Sequence, residues 1–528
     1  MVPKNRLTCQ REFLQTLHNS LCHTDNVSRQ GITCIATVLM ACHSLSYQNI
    51  HFQNRNAVLM FDPDTLVQES QQSCWTQWIA ENQEVSDSVH NTIILLNQWM
   101  TKKTWIFVID LALSFLSKKL TLTNLKKQTP NTIHLSRHDL ASILGLTLFG
   151  VKIFPSNDFS NFFFWYHNIM HRIFQEKLKF IASYFVYLEN IKNGIDPDQS
   201  LPTCKLQHAT EKTNECTTDQ LDVFHYLMQE RVSVTRVVGI AIDDFNVTEN
   251  TTTYKHSASL NQLCTIWSQC DLPLVTFTVH YNKFIQDCQG SLQADFASHK
   301  IGGGTLRSGC AQEEIFFLTH PETIAVSFLT EPLCKNEALI IKGVNRYVAH
   351  QGYSSRLTCL GPAHWHEKQQ NYIPTRFQNS LVPTTIVAVD AIHYKSREDS
   401  FNQFKRSHFM RDLQKLYSAL EATITDSDLT EKRTPFASGH WGCGVFRGDI
   451  ELKSIIQWLA ASRSQRQLIY CITGSNKKFL SEPDIRFLST VYPTVGSLFT
   501  AVLSILDSVS LTTTPLIWNL LKEKHVQF

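Results

Sequence analysis

Long apolar runs are missing from this chain of 528 residues. The nearest, residues 105–116, is about a dozen residues long and contains Asp110, against the roughly 20 that a membrane span needs. It reads as a core helix, and no membrane partner is expected. An excess of either charge is missing too: Lys+Arg 48 against Asp+Glu 46 leave a formal +2 at pH 7. Bulk electrostatics therefore give no reason to expect nucleic-acid binding, and any anionic polymer has to be recognised locally. No Gly-Lys-Ser/Thr element of the Walker type is present, which disfavours a nucleotide-binding scaffold of that kind. The 15 cysteines are an odd count without paired metal-ligand spacing, so neither a disulfide framework nor a zinc knuckle is implied. His364 and His366 lack a third ligand at familiar spacing and read as a surface loop. The opening stretch carries Lys4, Arg6 and Arg11 rather than an apolar core, so no secretory leader is expected, and the sequons at Asn26, Asn246 and Asn250 read as chance matches.

Glycine is scarce, at 19 residues, which makes its clustering informative. Gly302-Gly303-Gly304 precedes Gln312-Glu313-Glu314-Ile315, with a strand expected before it and a buried helix after it, interrupted at Pro321. Backbone without Cβ atoms can bring N–H groups close to ligand oxygens, so the triplet is a candidate phosphate cradle beside two carboxylates. Taken alone, a glycine triplet is an ordinary loop and a Glu pair an ordinary solvated helix start. A second glycine loop, Gly442 to Gly448, stands just before a helix expected from Asp449.

The first 200 or so residues show helix-like spacing at 32–45, 92–100, 105–116, 140–148 and 162–188. From about Leu272 short β-rich runs (275–281, 338–341, 386–389, 468–472) alternate with helical ones (400–420, 449–461, 495–506), which argues for a mixed sheet covered on both faces. The divisions expected are a helical accessory domain over 1–195, a linker or mobile insertions over 196–255, a catalytic domain over 256–510 and a tail over 511–528.

Asp295-Phe296-Ala297, the glycine triplet, Gln312-Glu313-Glu314-Ile315, Gly352-Tyr353, the run 386–391 and Trp441-Gly442-Cys443-Gly444-Val445-Phe446 occur in an order that resembles the poly(ADP-ribose) glycohydrolases. The resemblance covers roughly 273–503. It implies an α/β macrodomain, with a mixed central sheet flanked by helices and preceded by an all-helical accessory domain. It implies hydrolysis of the ribose–ribose O-glycosidic bonds of poly(ADP-ribose), releasing ADP-ribose, with poly-ADP-ribosylated proteins as partners and an intracellular, nuclear or cytoplasmic, location. No cofactor and no metal are implied.

Carried over position by position, Glu314 is the expected general acid and base. Glu313 is expected to hold ribose hydroxyls, and Asp295 to order the loop or the ribose. Adjacent residues on a helix point about 100° apart, so Glu313 and Glu314 cannot flank one bond and need different jobs. The helix N-terminus lowers a carboxyl pKa, whereas Glu313, a bound diphosphate and water exclusion raise it. The resemblance places Ile285 and Gln286 at adenine and Tyr353 at the nucleotide. It adds Ser298, Gly302, Gly303, Gly304 and Gln312 on one side of the ligand. On the other side it adds His440, Trp441, Gly442, Cys443, Gly444, Val445 and Phe446, with Phe446 equally readable as core packing. The chain departs from the family at Arg307, Ser298, His440, Arg447 and Thr473, which bears on affinity and chain-length preference. The alternative reading is a module that binds ADP-ribose or its polymer with weak or no turnover. The intact Gln312-Glu313-Glu314 speaks against it.

Overall fold

The computed structural model describes residues 83–117, 124–151, 162–193, 224–242 apart from 226, 257–362, 383–424, 433–473, 481–509 and 515–525, with a few more between 11 and 22. The expectations for 32–45 and for His364 and His366 fall outside these residues. The strands are β1 Asn131–Ser136, β2 Arg231–Val238, β3 Ala241–Ile242, β4 Ser257–Ala258, β5 Phe277–Tyr281, β6 Leu292–Asp295, β7 Glu337–Val344, β8 Val348–Gln351, β9 Thr358–Pro362, β10 Thr384–Ala388, β11 Phe436–Ser438 and β12 Leu468–Ile472. Eight of them form one mixed sheet in the order β1-β2-β7-β10-β6-β11-β12-β5. From β1 to β10 neighbours are antiparallel; from β10 through β6, β11 and β12 to β5 they are parallel.

In the parallel half β10 and β12 read as short apolar runs, as burial on both faces requires, whereas the edge strand β5 alternates between buried and half-covered residues. Successive side chains alternate between two cores. Ile386 and Ala388 face the core that contains the N-terminal helices, while Val387 and Val389 face the other. The first core unites Trp105, Leu144 and Leu178 with Ile315 to Leu318 of the helix Gln312–Thr319. The second is covered by the helices Arg406–Glu421, Ile450–Arg463 and Val495–Ser508.

To the helical character of the first 195 residues the structure adds β1, and it places β2 inside the stretch expected as a linker. Val232 and Val234 are buried while Ser233 and Thr235 are only half covered, a period-2 pattern short enough to be taken for loop composition. The stretch 511–528, expected as a tail, contains the helix Ile517–His525, whose Trp518 stacks on Trp458 at 6.4 Å. Buried charge ties the N-terminal half down. Arg137 donates to Glu322 at 2.7 Å and to the Gly343 carbonyl at 2.6 Å, and Tyr347 donates to the same Glu322 at 2.5 Å.

Candidate active site

Every strand of the parallel half delivers its C-terminal end to the same rim, where ligands bind in open α/β sheets. Beyond β5 come Lys283, Phe284 and Ile285; beyond β6, Phe296 and Ala297; beyond β10, Ala391; beyond β11, His440, Trp441, Gly442, Gly444, Val445 and Phe446; and beyond β12, Thr473. Together with Ala311, Gln312, Tyr353 and Cys471 they enclose a cleft of about 300 Å³, at the lower end of ligand-site volumes.

Three consecutive side chains at the start of the helix Gln312–Thr319 gather the backbone of the preceding loop. Gln312 accepts from the Phe296 N–H at 2.8 Å and donates to the Ala294 carbonyl at 2.9 Å, bracketing the end of β6. Glu313 accepts from the N–H groups of Gly302 at 2.7 Å and Ser298 at 2.8 Å. Glu314 accepts from Gly304 and from Ala311, both at 2.8 Å. The last of these is half of a capping box, since alanine has no side-chain acceptor to reciprocate.

This arrangement reassigns the glycine triplet. Its three N–H groups are spent inside the protein, Gly303 donating to the Lys300 carbonyl and the other two to the carboxylates. They cradle the acids rather than a diphosphate. The need for glycine is steric: Gly303, at φ +48°, would place a Cβ 2.4 Å from Glu313 Oε2 and 2.6 Å from Glu314 Oε1. Gly309 would place one 2.8 Å from Glu314 Cδ. The triplet does not line the cleft; Gly302 and Gly303 line a separate cavity of about 370 Å³.

Asp295 is fully buried, and neither of its carboxyl oxygens has a hydrogen-bond partner among the described residues. Burial, and then the charge of Glu314, push its pKa well above the usual carboxylate range. Glu313 is also raised, by burial and then by Asp295 and Glu314, against the opposing pull of the Ser298 and Gly302 N–H groups. A carboxyl whose folded pKa lies above its unfolded one binds more protons in the fold, so its stabilising contribution is complete below pH ~4 and is lost as pH rises. Asp295→Asn removes that term. The variant is expected to lose less stability than the parent between pH 4 and 8, measured by denaturant unfolding; an equally steep decline would show that Asp295 is ionised in the fold.

The second glycine loop keeps donors available. Gly448 N–H closes the loop onto the Gly442 carbonyl at 2.8 Å, but the N–H groups of Gly444, Val445 and Phe446 have no protein acceptor among the described residues. Asp449 caps the following helix by accepting from Leu452 N–H at 2.8 Å. Beneath the loop lies a buried cluster of three cations, Arg411, Lys415 and Lys453, against two carboxylates, Asp390 and Asp412. Arg411 reaches Asp390 at 2.9 Å and Asp412 at 2.7 Å, Lys415 reaches Asp390 at 2.5 Å, and Lys453 meets Asp412. Burial lowers Lys415 to about 8, and Arg411 pushes it the same way against Asp390. Burial would raise Asp412, but Lys453 and Arg411 outweigh it and hold the carboxylate below its usual range. A Cβ on Gly448 would lie 2.9 Å from Lys453 Cε, so the cluster packs directly under this loop, with Asp449 a further carboxyl beside Lys453.

The remaining expected residues divide. Ile285, Gln312, Tyr353, His440, Trp441, Gly442, Gly444, Val445 and Phe446 line the cleft. Phe446 does so while stacked on His393 at 4.7 Å. Gln286 turns into the protein and does not line the cleft, with neither end of its amide hydrogen-bonded among the described residues. Cys443 points back to the Trp441 carbonyl at 3.3 Å, and Ser298 contributes its backbone to Glu313 rather than to the cleft wall. Neither departing arginine obstructs the cleft: Arg307 lies over the Phe164 ring at 5.6 Å, and Arg447 donates to the Tyr394 carbonyl at 3.1 Å. Phe296 and Lys177 were not singled out from sequence. Phe296 sits inside the Asp-Phe-Ala motif that already marked the place, whereas Lys177 carried one signal, a lysine on the apolar stripe of an amphipathic helix.

Residues 264–479 match the family described as poly(ADP-ribose) glycohydrolase, macrodomain fold. Poly(ADP-ribose) glycohydrolase 1 of Arabidopsis thaliana is 30% identical over 264 residues, covering 38% of this chain and 46% of that protein. Poly(ADP-ribose) glycohydrolase 1 of Caenorhabditis elegans is 35% identical over 195 residues, covering 36% and 24%. The chain thus spans less than half the length of these curated relatives. The crystal structure of the Deinococcus radiodurans enzyme in complex with ADP-ribose aligns over 47% of this chain and 90% of that one, at 15% identity and a TM-score of 0.24, a likeness too loose to carry an argument.

Proposed function

We propose, from the match of residues 264–479 to the poly(ADP-ribose) glycohydrolase family and from the geometry of the site, that the chain hydrolyses ribose–ribose O-glycosidic bonds of poly(ADP-ribose) and releases ADP-ribose. The observation that carries this reading is the clamp on Glu314. Its carboxyl group is fixed by the Gly304 and Ala311 N–H groups; Glu314, 8% exposed, does not itself line the cleft but sits directly behind Ala311 and Gln312, which do.

In this reading the terminal ADP-ribose lies in the cleft. Its diphosphate sits against the open N–H groups of residues 444–446, above the buried charge cluster. Phe446 and Tyr353 flank the sugars, and Ile285 meets the base. Cleavage proceeds through an oxocarbenium-like transition state, so the departing oxygen must receive a proton as the C–O bond lengthens. Glu314 supplies it and then takes a proton from the attacking water. Glu313 holds the loop through Gly302 and Ser298. Asp295, neutral and buried behind both, limits the negative charge that three neighbouring carboxyl groups would otherwise accumulate. Poly-ADP-ribosylated proteins in an intracellular compartment are the expected context.

The second reading, a module that holds ADP-ribose without turning over the polymer, draws support from one observation. Both Glu314 oxygens are engaged by backbone donors, so the acid has to share a lone pair to reach the sugar. Incubating the purified chain with labelled polymer in the presence of a chelator, with chromatography of the products, separates the two. Release of ADP-ribose is expected; intact polymer from a chain that still binds ADP-ribose would establish the binding module instead.

A further inference from the structure

The helix Arg172–Lys192 buries Phe174, Leu178, Ile181, Phe185 and Leu188, and Lys177 stands on this same stripe with none of its surface exposed. A lysine in such a position demands an explanation, because an ammonium group removed from water costs several kcal/mol unless its donors are satisfied. Its Nζ forms no ion pair with a carboxylate among the described residues. It donates instead to the main-chain carbonyls of Thr305 at 2.8 Å and Arg307 at 2.5 Å, with the Gly304 carbonyl at 3.4 Å. Three acceptors match the three donors of an ammonium group. The Trp165 ring lies 5.7 Å away. Burial lowers the Lys177 pKa to about 8, with the nearby Cys310 and Glu314 pulling it back up.

The three carbonyls belong to one turn, and that turn sets the position of Glu314. The Gly304 carbonyl also accepts from the Arg307 N–H at 2.8 Å and the Gly309 N–H at 3.1 Å, while the Gly304 N–H holds Glu314 Oε1. Gly309 in turn packs its Cα against Gly304 and leaves no room for a Cβ beside the Glu314 carboxyl. A cation at the focus of these carbonyls neutralises their converging dipoles and fixes the backbone of the turn.

We propose that Lys177, supplied by the N-terminal helical half, is a positioning residue that locks the 304–309 turn and through it the catalytic carboxyl of Glu314. The proposal rests on the reading of Glu314 as the acid and base. It makes the two halves of the chain one functional unit: the cleft that binds ADP-ribose is built from the C-terminal half, but the geometry of the acid depends on a side chain 137 residues before it.

The test uses the full chain with Lys177→Met and Lys177→Arg. Methionine keeps the apolar stem and removes every donor. A misplacement of about 1 Å is enough for a hundredfold loss, so kcat on poly(ADP-ribose) is expected to fall by about 10- to 100-fold. KM and the ADP-ribose affinity measured by calorimetry should stay within about twofold, since this side chain touches no cleft residue. Backbone amide hydrogen exchange over residues 302–311 should quicken in K177M. Arginine retains the charge but presents a planar fork where three carbonyls converge, so K177R should lose less kcat than K177M. Unchanged kcat in K177M, unchanged exchange in the loop, or a parallel loss of kcat and ADP-ribose affinity would each overturn the proposal. If K177M does not fold, K177R decides: reduced kcat at unaltered ADP-ribose affinity supports it and full kcat refutes it. Should the parent chain not cleave polymer at all, the functional reading fails by itself, and the exchange comparison still decides whether Lys177 orders the turn.

Discussion

Glu314→Gln lowers turnover of poly(ADP-ribose) by about 10²- to 10⁴-fold, the range a positioned general acid contributes, while ADP-ribose affinity changes by less than about threefold. Glutamine conserves volume and cannot exchange a proton at the leaving oxygen. It also exchanges one acceptor for an NH2 donor, yet Glu314 faces two backbone donors, Gly304 and Ala311, at 2.8 Å each. One of those N–H groups must lose its partner, a penalty of about 1–3 kcal/mol. The variant is therefore expected to be measurably less stable than the parent as well as slow. Because the open donors of the second glycine loop and the walls at Tyr353 and Phe446 are untouched, calorimetric titration with ADP-ribose separates loss of chemistry from loss of the site. A variant that keeps more than a tenth of the parent kcat removes Glu314 from the acid role. A variant that loses ADP-ribose binding shows that the carboxyl group supports the cleft rather than the reaction.

What the sequence disclosed about this site follows from the kind of signal each residue emits. The spacing from Gly302-Gly303-Gly304 to Glu313-Glu314 is visible in one dimension, and the fold does bring these residues into contact. Their direction is not visible. Glycine signals that backbone approaches something closely, and both a phosphate and a carboxylate satisfy that description. Only the fold shows that the first loop wraps its own acids, leaving the second loop's donors at 444–446 for an anion. Strands β7, β10 and β12 were legible because burial on both faces compresses them into apolar runs, and the edge strand β5 because Phe277 and Val279 alternate with half-covered residues. Strand β1 alternates and exposes Asn131 and Thr132, and β11 is three residues long, so neither rises above loop composition. Gln286 illustrates the limit of carrying residues over by alignment: in a one-turn 3-10 helix, a shift of one position turns a side chain from the cleft, where Ile285 lies, into the interior. Lys177 was hidden for another reason. Lysines are ordinarily solvated, and the carbonyls that hold this one lie 127 to 130 residues downstream.

Gly303→Ala is expected to leave a folded protein that retains ADP-ribose binding and loses at least about 100-fold in kcat. Two costs are involved and they can be separated. Alanine at φ +48° occupies the left-handed region, at about 1–2 kcal/mol. Its methyl carbon would also stand 2.4 Å from Glu313 Oε2 and 2.6 Å from Glu314 Oε1, well inside contact distance. Those atoms are the ends of flexible side chains, so the fold can relieve the overlap by swinging the carboxyl groups away, which is what catalysis cannot tolerate. Stability should therefore fall by the backbone strain plus the N–H groups left unpaired, while the rate falls more steeply. Gly290→Ala supplies the control: at φ +70° it bears the same backbone strain, but nothing lies within 4 Å of the added Cβ. Calorimetric melting should show the larger loss in Gly303→Ala, whose displaced carboxyl groups leave backbone N–H groups unpaired, and only Gly303→Ala should lose kcat. Equal activities would mean that the carboxyl positions are not what sets the rate, and the clamp built by Gly302, Gly304 and Ala311 would then be an element of the fold alone.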